Sequence, residues 1–138
     1  MISFIFSFQI WLRKTIAALY LLTIAALSLM PARDLPHFTV FSDIDKAVHV
    51  SMYLGLSFLA CWSYEVNRER MKPIYVLLAG VFMYGVLMEI LQRTMHNGRN
   101  FDFKDMVANL TGAIVGIIIY RYFDRKRTEN AGKQKINS

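Results

Sequence analysis

A chain of 138 residues has room for one domain. Hydrophobic residues make up 55% and charged residues 19%, below the roughly 25% of ordinary soluble domains, which excludes disorder, collagen-like repeats and coiled coil and leaves an unusually apolar core or a membrane protein. Half of the net charge of +6 lies in the C-terminal tail 124–138 and suits an anionic membrane surface, so it calls for no nucleic-acid partner.

The spacing of charges separates the two remaining classes. Eighteen residues between Lys14 and Arg33 lack Asp, Glu, Lys and Arg, as do 18 between Lys46 and Glu65, 16 between Lys72 and Glu89, and 15 between Asp105 and Arg121. A soluble helix places a charge on its wet face every turn or two. A membrane span needs roughly 17–25 mostly apolar residues. The four runs therefore predict four transmembrane helices. The third reaches full length by continuing through Glu89 to Gln92, and the fourth by extending Lys104 and Arg121 into the interfaces.

Residues 1–14 are apolar and aromatic, with Phe4, Phe6, Phe8 and Trp11, and either lie in the interface or lengthen helix 1. Helix 1 is predicted over 12–30 and stops near Pro31. Arg13 and Lys14 before an apolar run resemble the start of a signal peptide. Cleavage after Ala32 would place Met30 where a small residue is needed, so the segment reads as an uncleaved span. Helix 2 is predicted over 44–64. It contains the single cysteine, Cys61, which reads as a small buried apolar residue and provides neither a disulfide framework nor a thiolate zinc site. A charged turn, 65–72, leads to Pro73 in the first turn of helix 3, predicted over 73–93. Asn97-Gly98 marks a turn in the next loop. Helix 4 is predicted over 104–123. The polar, basic segment 124–138 reads as a disordered tail. The expected plan is an N-terminal segment 1–14, a membrane domain 15–123 and a cytoplasmic tail 124–138.

Orientation follows from the cations. With four spans, Arg13, Lys14, Arg68, Arg70, Lys72, Arg121, Arg125, Lys126, Arg127, Lys133 and Lys135 share one side. Arg33, Lys46, Arg93, Arg99 and Lys104 share the other. The positive-inside rule puts both termini in the cytoplasm. The expected fold class is all-α, a four-helix transmembrane bundle with N-in/C-in topology.

Inside this apolar frame stand polar residues at one depth. His49 lies four residues inside Asp45, Glu89 four inside Arg93, and Asn109 four inside Asp105. Four residues are about 6 Å of helix rise. Phe82, Gly85, Glu89, Gln92 and His96 share one face of helix 3. Asp105, Asn109, Gly112 and Gly116 share one face of helix 4, with Ala108 on the adjacent row. Small residues four apart allow close helix approach, so this face points into the bundle. The candidate binding residues are Asp45, Lys46, His49, Glu89, Gln92, Arg99, Asp105 and Asn109. His37, His49 and His96 show no H-x-x-x-H or H-E-x-x-H spacing, so no metal or other cofactor is expected.

The stretch D-K-A-V-H-V-S-M-Y from Asp45 to Tyr53, followed by the stretch from Gly85 to Gly116, resembles the VanZ-like family. The resemblance covers 43–123. It rests on Asp45, Lys46 and His49 opening helix 2, Glu89 and Gln92 ending helix 3, Arg99 in the next loop, and Asp105, Asn109, Gly112 and Gly116 in helix 4. A proline common before the loop arginine is replaced here by His96-Asn97. The resemblance implies a small multi-pass protein of the bacterial cytoplasmic membrane, from a family named for a teicoplanin-resistance protein. It attaches no biochemical activity to the fold.

Three functional readings follow. Lys46 and Arg99 could hold an anionic headgroup, such as a lipid-linked cell-wall precursor or a lipoglycopeptide, with Glu89, Gln92 and Asn109 orienting them. Alternatively, Glu89 or His49 could act as general base in an intramembrane enzyme, with Arg99 stabilising charge. Ser51 is two residues from His49 and off its face, so it is not an activated nucleophile. Finally, the cluster could be a purely structural lock. Hydrogen bonds in membranes contribute only about 0.6 kcal/mol each, which makes such a lock inefficient.

The topology is open to a direct test. Single cysteines at Asn97 and Asn130, each in a Cys61→Ala background, are expected to react with an impermeant thiol reagent on intact cells at 97 and not at 130. The opposite pattern inverts the orientation.

Overall fold

The computed structural model describes residues 8–30, 44–66, 70–95 and 102–136, with side chains to 133. They form four helices: α1 (Ile10–Leu29), α2 (Ile44–Ser63), α3 (Met71–Thr94) and α4 (Phe103–Ile136). No strand occurs among the described residues. The predicted helices appear in order with small shifts at their ends, except that α4 runs thirteen residues beyond its predicted end at 123. Residues 10–14 belong to α1, so this part of the N-terminal segment lengthens the helix.

Three of the helices are long and apolar enough to cross a membrane: Ile10–Leu29, Met71–Thr94 and, within α4, Phe103–Lys133. Helix α2 has 20 residues but carries Asp45, Lys46, His49 and several serines, and it buries much of that polarity. It is the central helix, packed against all three others, with its most extensive contact against α4. Leu19, Leu22, Val76, Met83 and Ile118 are exposed on the outside of the bundle. Such an apolar exterior suits lipid.

Glycines set the α2–α4 contact. A Cβ on Gly112 would collide with the Val50 carbonyl oxygen, and one on Gly116 with the Leu54 carbonyl oxygen and Ser57 Oγ. At Gly112 the backbones therefore meet without a side chain between them, and at Gly116 only the small Ser57 side chain shares the contact. Ala113 is fully buried beside them. The face predicted to turn inward does so.

Two apolar clusters fill the bundle. One contains Cys61, Trp62, Val66, Ile74, Ile117 and Tyr120. The other contains Ile24, Tyr53, Leu56, Val81 and Ala113. Hydroxyls of Thr15, Thr23 and Thr111 donate back to their own helix four residues earlier, so few polar groups face outward unpaired.

The end where α1 begins and α2 finishes is fastened by charge. Arg13 is buried, and its Nη1 donates to Glu65 Oε1 at 2.6 Å while its Nε donates to the Phe8 carbonyl at 2.8 Å. The guanidinium lies 5.6 Å from the centre of the Trp62 ring. Glu65 has φ 48°, the left-handed region. The Val66 N–H donates to the Cys61 carbonyl, which closes a six-to-one helix end usually made with glycine. A side chain in that conformation costs about 1–2 kcal/mol, and the Arg13 contact holds it there.

One expectation is overturned. The segment 124–136 is helical, not disordered, because α4 runs on to Ile136. No proline interrupts it, and paired charges support it: Arg127 with Asp124 at 3.3 Å and Arg125 with Glu129 at 2.7 Å.

Replacing Gly112 by Ala is expected to lower stability by at least about 1–3 kcal/mol, since a methyl group must displace the α2 backbone. Gly80→Ala, where nothing lies within 4 Å of the added carbon, is expected to be neutral or to stabilise by up to about 1 kcal/mol. Thermal unfolding in detergent distinguishes the two.

Candidate functional site

At the opposite end, α1 and α3 finish while α2 and α4 begin. The glycine contact determines which residues meet there. His49 precedes Val50 by one residue, and Asn109 precedes Gly112 by three, so the two polar side chains fall together. His49 Nδ1 lies 2.9 Å from Asn109 Oδ1, both residues being buried. His49 Nε2 faces Asp105 Oδ2 at 3.9 Å. Asp105 is 8% exposed, and its Oδ1 has no hydrogen-bond partner among the described residues. His49, Asp45, Asp102 and Lys46 all lie within electrostatic reach of Asp105. Asp102 Oδ1 accepts from the Lys104 N–H at 2.8 Å, an N-cap that starts α4 and so places Asp105 in its first turn.

Helix α3 contributes Glu89, 1% exposed, in its second-last turn. Glu89 acts electrostatically on Tyr53. Tyr53 and Asn109 both approach α3 at Gly85, where a Cβ would lie 3.1 Å from Tyr53 Cε1 and 3.2 Å from Asn109 Nδ2. Buried polar groups from α2, α3 and α4 thus stand toward the same end of the bundle.

One candidate departs from the sequence expectation and another is not described. Gln92 points to α1, where its Nε2 donates to the Ser28 carbonyl at 2.8 Å. It ties α3 to the end of α1, a helix that the spacing argument left out of the site. Arg99 lies outside the described residues, as do His37 and His96.

Sequence reasoning passed over Tyr53. It is 1% exposed, and its hydroxyl has no hydrogen-bond partner among the described residues. The signal was present: Tyr53 is four residues from His49 and therefore on the same face of α2. It was hidden because a tyrosine in an apolar run reads as core, and it does pack in a core cluster, with its ring centre 6.5 Å from that of Tyr84.

Comparison with known proteins adds a family. A family model described as VanZ/LLP1 matches residues 1–124. The chain belongs to the VanZ/LLP1 family. It is also similar to a protein of the fission yeast Schizosaccharomyces pombe, named only "Uncharacterized protein C11E3.10". The two are 27% identical over 127 residues, covering 90% of this chain and 74% of the relative. No solved structure matches. The yeast relative shows that sequences similar to this VanZ/LLP1 protein occur in a eukaryote.

The His49–Asn109 bond can be weighed by a double-mutant cycle. His49→Leu or Asn109→Leu alone is expected to cost about 1–3 kcal/mol by stranding a buried partner. The two together are expected to cost less than their sum, by at least about 0.5 kcal/mol. Unfolding in detergent gives the coupling.

Proposed function

We propose that this VanZ/LLP1 protein binds the phosphate-bearing headgroup of a membrane lipid or lipid-linked envelope precursor at the end of the bundle where His49, Glu89 and Asn109 are buried. Both termini are cytoplasmic in this reading and the site faces outward. In a bacterium the host bilayer is the cytoplasmic membrane, and a wall precursor held there would connect the site to teicoplanin-type resistance.

One observation carries the reading. Ionisable and polar groups from three helices are buried at this end of a bundle whose interior is mostly apolar. A charge at the centre of a membrane helix costs about 2.5–3.5 kcal/mol on insertion scales and less one turn from its end, and an interhelical hydrogen bond offsets only about 0.6 kcal/mol of that. Glycine packing and two apolar clusters already hold the helices together. Such a polar group at membrane depth is by default a functional one.

Lys46 is three residues from His49 and within electrostatic reach of Asp105. Arg99 belongs to the eight-residue connection between the end of α3 and the start of α4, the two helix ends that border the site. A guanidinium can grip a phosphate with two parallel hydrogen bonds, and an ammonium can add a point charge. The yeast relative favours a phosphate headgroup common to many membranes over a ligand confined to bacterial walls.

Native mass spectrometry of the detergent-purified full chain tests this. Phosphatidylglycerol or a polyprenyl phosphate is expected to be retained at least about tenfold more than phosphatidylcholine, or about 1.4 kcal/mol. Lys46→Gln combined with Arg99→Gln is expected to erase that preference at unchanged melting temperature. Equal retention of the zwitterionic lipid, or a preference that survives the double substitution, refutes the reading. Stronger retention of the polyprenyl phosphate than of phosphatidylglycerol identifies a lipid-linked precursor as the ligand.

A further inference from the structure

Asp45, His49 and Asp105 each offer one ligand atom, and these atoms all lie within 4.8 Å of one another. Two come from successive turns of α2 and the third from the first turn of α4. A search for metal-binding spacing along a single helix misses such a set, which is why the sequence led to no metal being expected.

Three features separate the cluster from an ordinary histidine–carboxylate pair. The first is the tautomer of His49. Its Nδ1 lies 2.9 Å from Asn109 Oδ1, an amide carbonyl oxygen that only accepts. The ring proton therefore sits on Nδ1, and a neutral ring presents the lone pair of Nε2. Metal-binding histidines are commonly fixed this way, with the second nitrogen donating to a carbonyl or carboxylate.

The second is distance. The Nε2 lone pair faces Asp105 Oδ2, another acceptor, at 3.9 Å. That is too long for a hydrogen bond. It fits two ligands of one ion, since bonds of about 2.0–2.2 Å allow ligand atoms to stand up to about 4.2 Å apart. Asp45 is the exposed member of the three, and rotation of its side chain supplies the remaining contraction.

The third is Asp105 itself. It is more than nine-tenths buried, and its Oδ1 has no hydrogen-bond partner among the described residues. A buried carboxylate oxygen without a partner is costly unless a cation neutralises it.

We infer that Asp45, His49 and Asp105 form a binding site for a divalent first-row metal ion, with Asn109 positioning the histidine. Two carboxylates and one imidazole make a mixed oxygen and nitrogen donor set. This suits Zn²⁺, Mn²⁺ or Fe²⁺; Mg²⁺ and Ca²⁺ favour oxygen-only sites. Three protein ligands leave coordination positions open. Where the headgroup reading holds, a phosphate oxygen takes one of them. The ion itself does not depend on that reading.

The test uses the full chain in a His37→Ala, His96→Ala background, which leaves His49 as its only histidine. The purified protein is stripped with a chelator and titrated with Zn²⁺ in detergent without added anionic lipid. Calorimetry and elemental analysis are expected to find about one ion per chain, and Zn²⁺ is expected to raise the melting temperature. His49→Gln and Asp105→Asn are expected to lose that uptake and the thermal shift.

Asn109→Leu keeps all three ligands and is expected to weaken binding about 10–100-fold. Asp45→Asn, at an exposed position, guards against misfolding. It is expected to retain the melting temperature of the stripped protein while binding Zn²⁺ at least about tenfold more weakly. Co²⁺ provides a spectroscopic check, with visible ligand-field bands in the parent that change in Asp45→Asn. The inference is overturned if the stripped parent takes up no Zn²⁺, or if Asp45→Asn and Asp105→Asn bind it as the parent does. Because lipid is absent, failure of headgroup binding does not affect either result.

Discussion

The close approach of α2 and α4 is the constraint on which the rest of the structure depends. Gly112 and Gly116 bring the α4 backbone onto the carbonyls of Val50 and Leu54. Such a contact has little tolerance for sliding. A shift of one residue along either helix would put a side chain where only hydrogen fits. The register fixed by two glycines is carried one turn further to His49 and Asn109, whose bond needs placement to a few tenths of an ångström. Functional groups held on rigid helices are placed more accurately than groups on loops. The polar site therefore inherits its geometry from an apolar contact beside it.

The two ends of the bundle are closed by different means. At one end the guanidinium of Arg13 bonds Glu65 and the Phe8 carbonyl and covers the face of Trp62. At the other, Gln92 is hydrogen-bonded to the Ser28 carbonyl, a neutral tie between α3 and α1. Tyr84 adds a similar tie to α1, its hydroxyl donating to the Leu21 carbonyl at 2.7 Å. Gln92 and Tyr84 thus join α3 to α1 through neutral hydrogen bonds.

Much of this architecture was legible in the order of residues, because a bilayer imposes simple rules. Uncharged runs marked the helices, and the four-residue step from each helix end marked a common depth. The Gly112 and Gly116 pair identified the inward face of α4. What escaped notice depended on contacts between distant parts of the chain. Arg13 looked like one more interfacial cation in the charge count, yet it is buried against a residue 52 positions away. Gln92 shared a helical face with Glu89 but reaches α1, since which neighbour a face meets is decided by packing and not by periodicity. The 124–136 segment looked like a tail because it is polar and basic, with few apolar residues to bury. Local charge pairs and the absence of proline suffice to continue a helix that α4 has already nucleated.

The charge balance at the site also bears on what it can hold. Among the described residues, Asp45, Asp102, Asp105 and Glu89 are acids of this end, while Lys46 and the exposed Lys104 supply the nearby cations. A phosphate brought against this group meets more negative charges than positive ones. Arg99 adds one positive charge from the connection between α3 and α4. A divalent ion between Asp45, His49 and Asp105 adds two more where the carboxylates are closest, and it presents a positive face to the ligand. The acids then assist anion binding by holding the ion, when alone they would oppose it. His49 has a part in both arrangements, with Nδ1 committed to Asn109 and Nε2 facing the carboxylate. That division of its two nitrogens follows from the register of α2 on α4, and so from the two glycines.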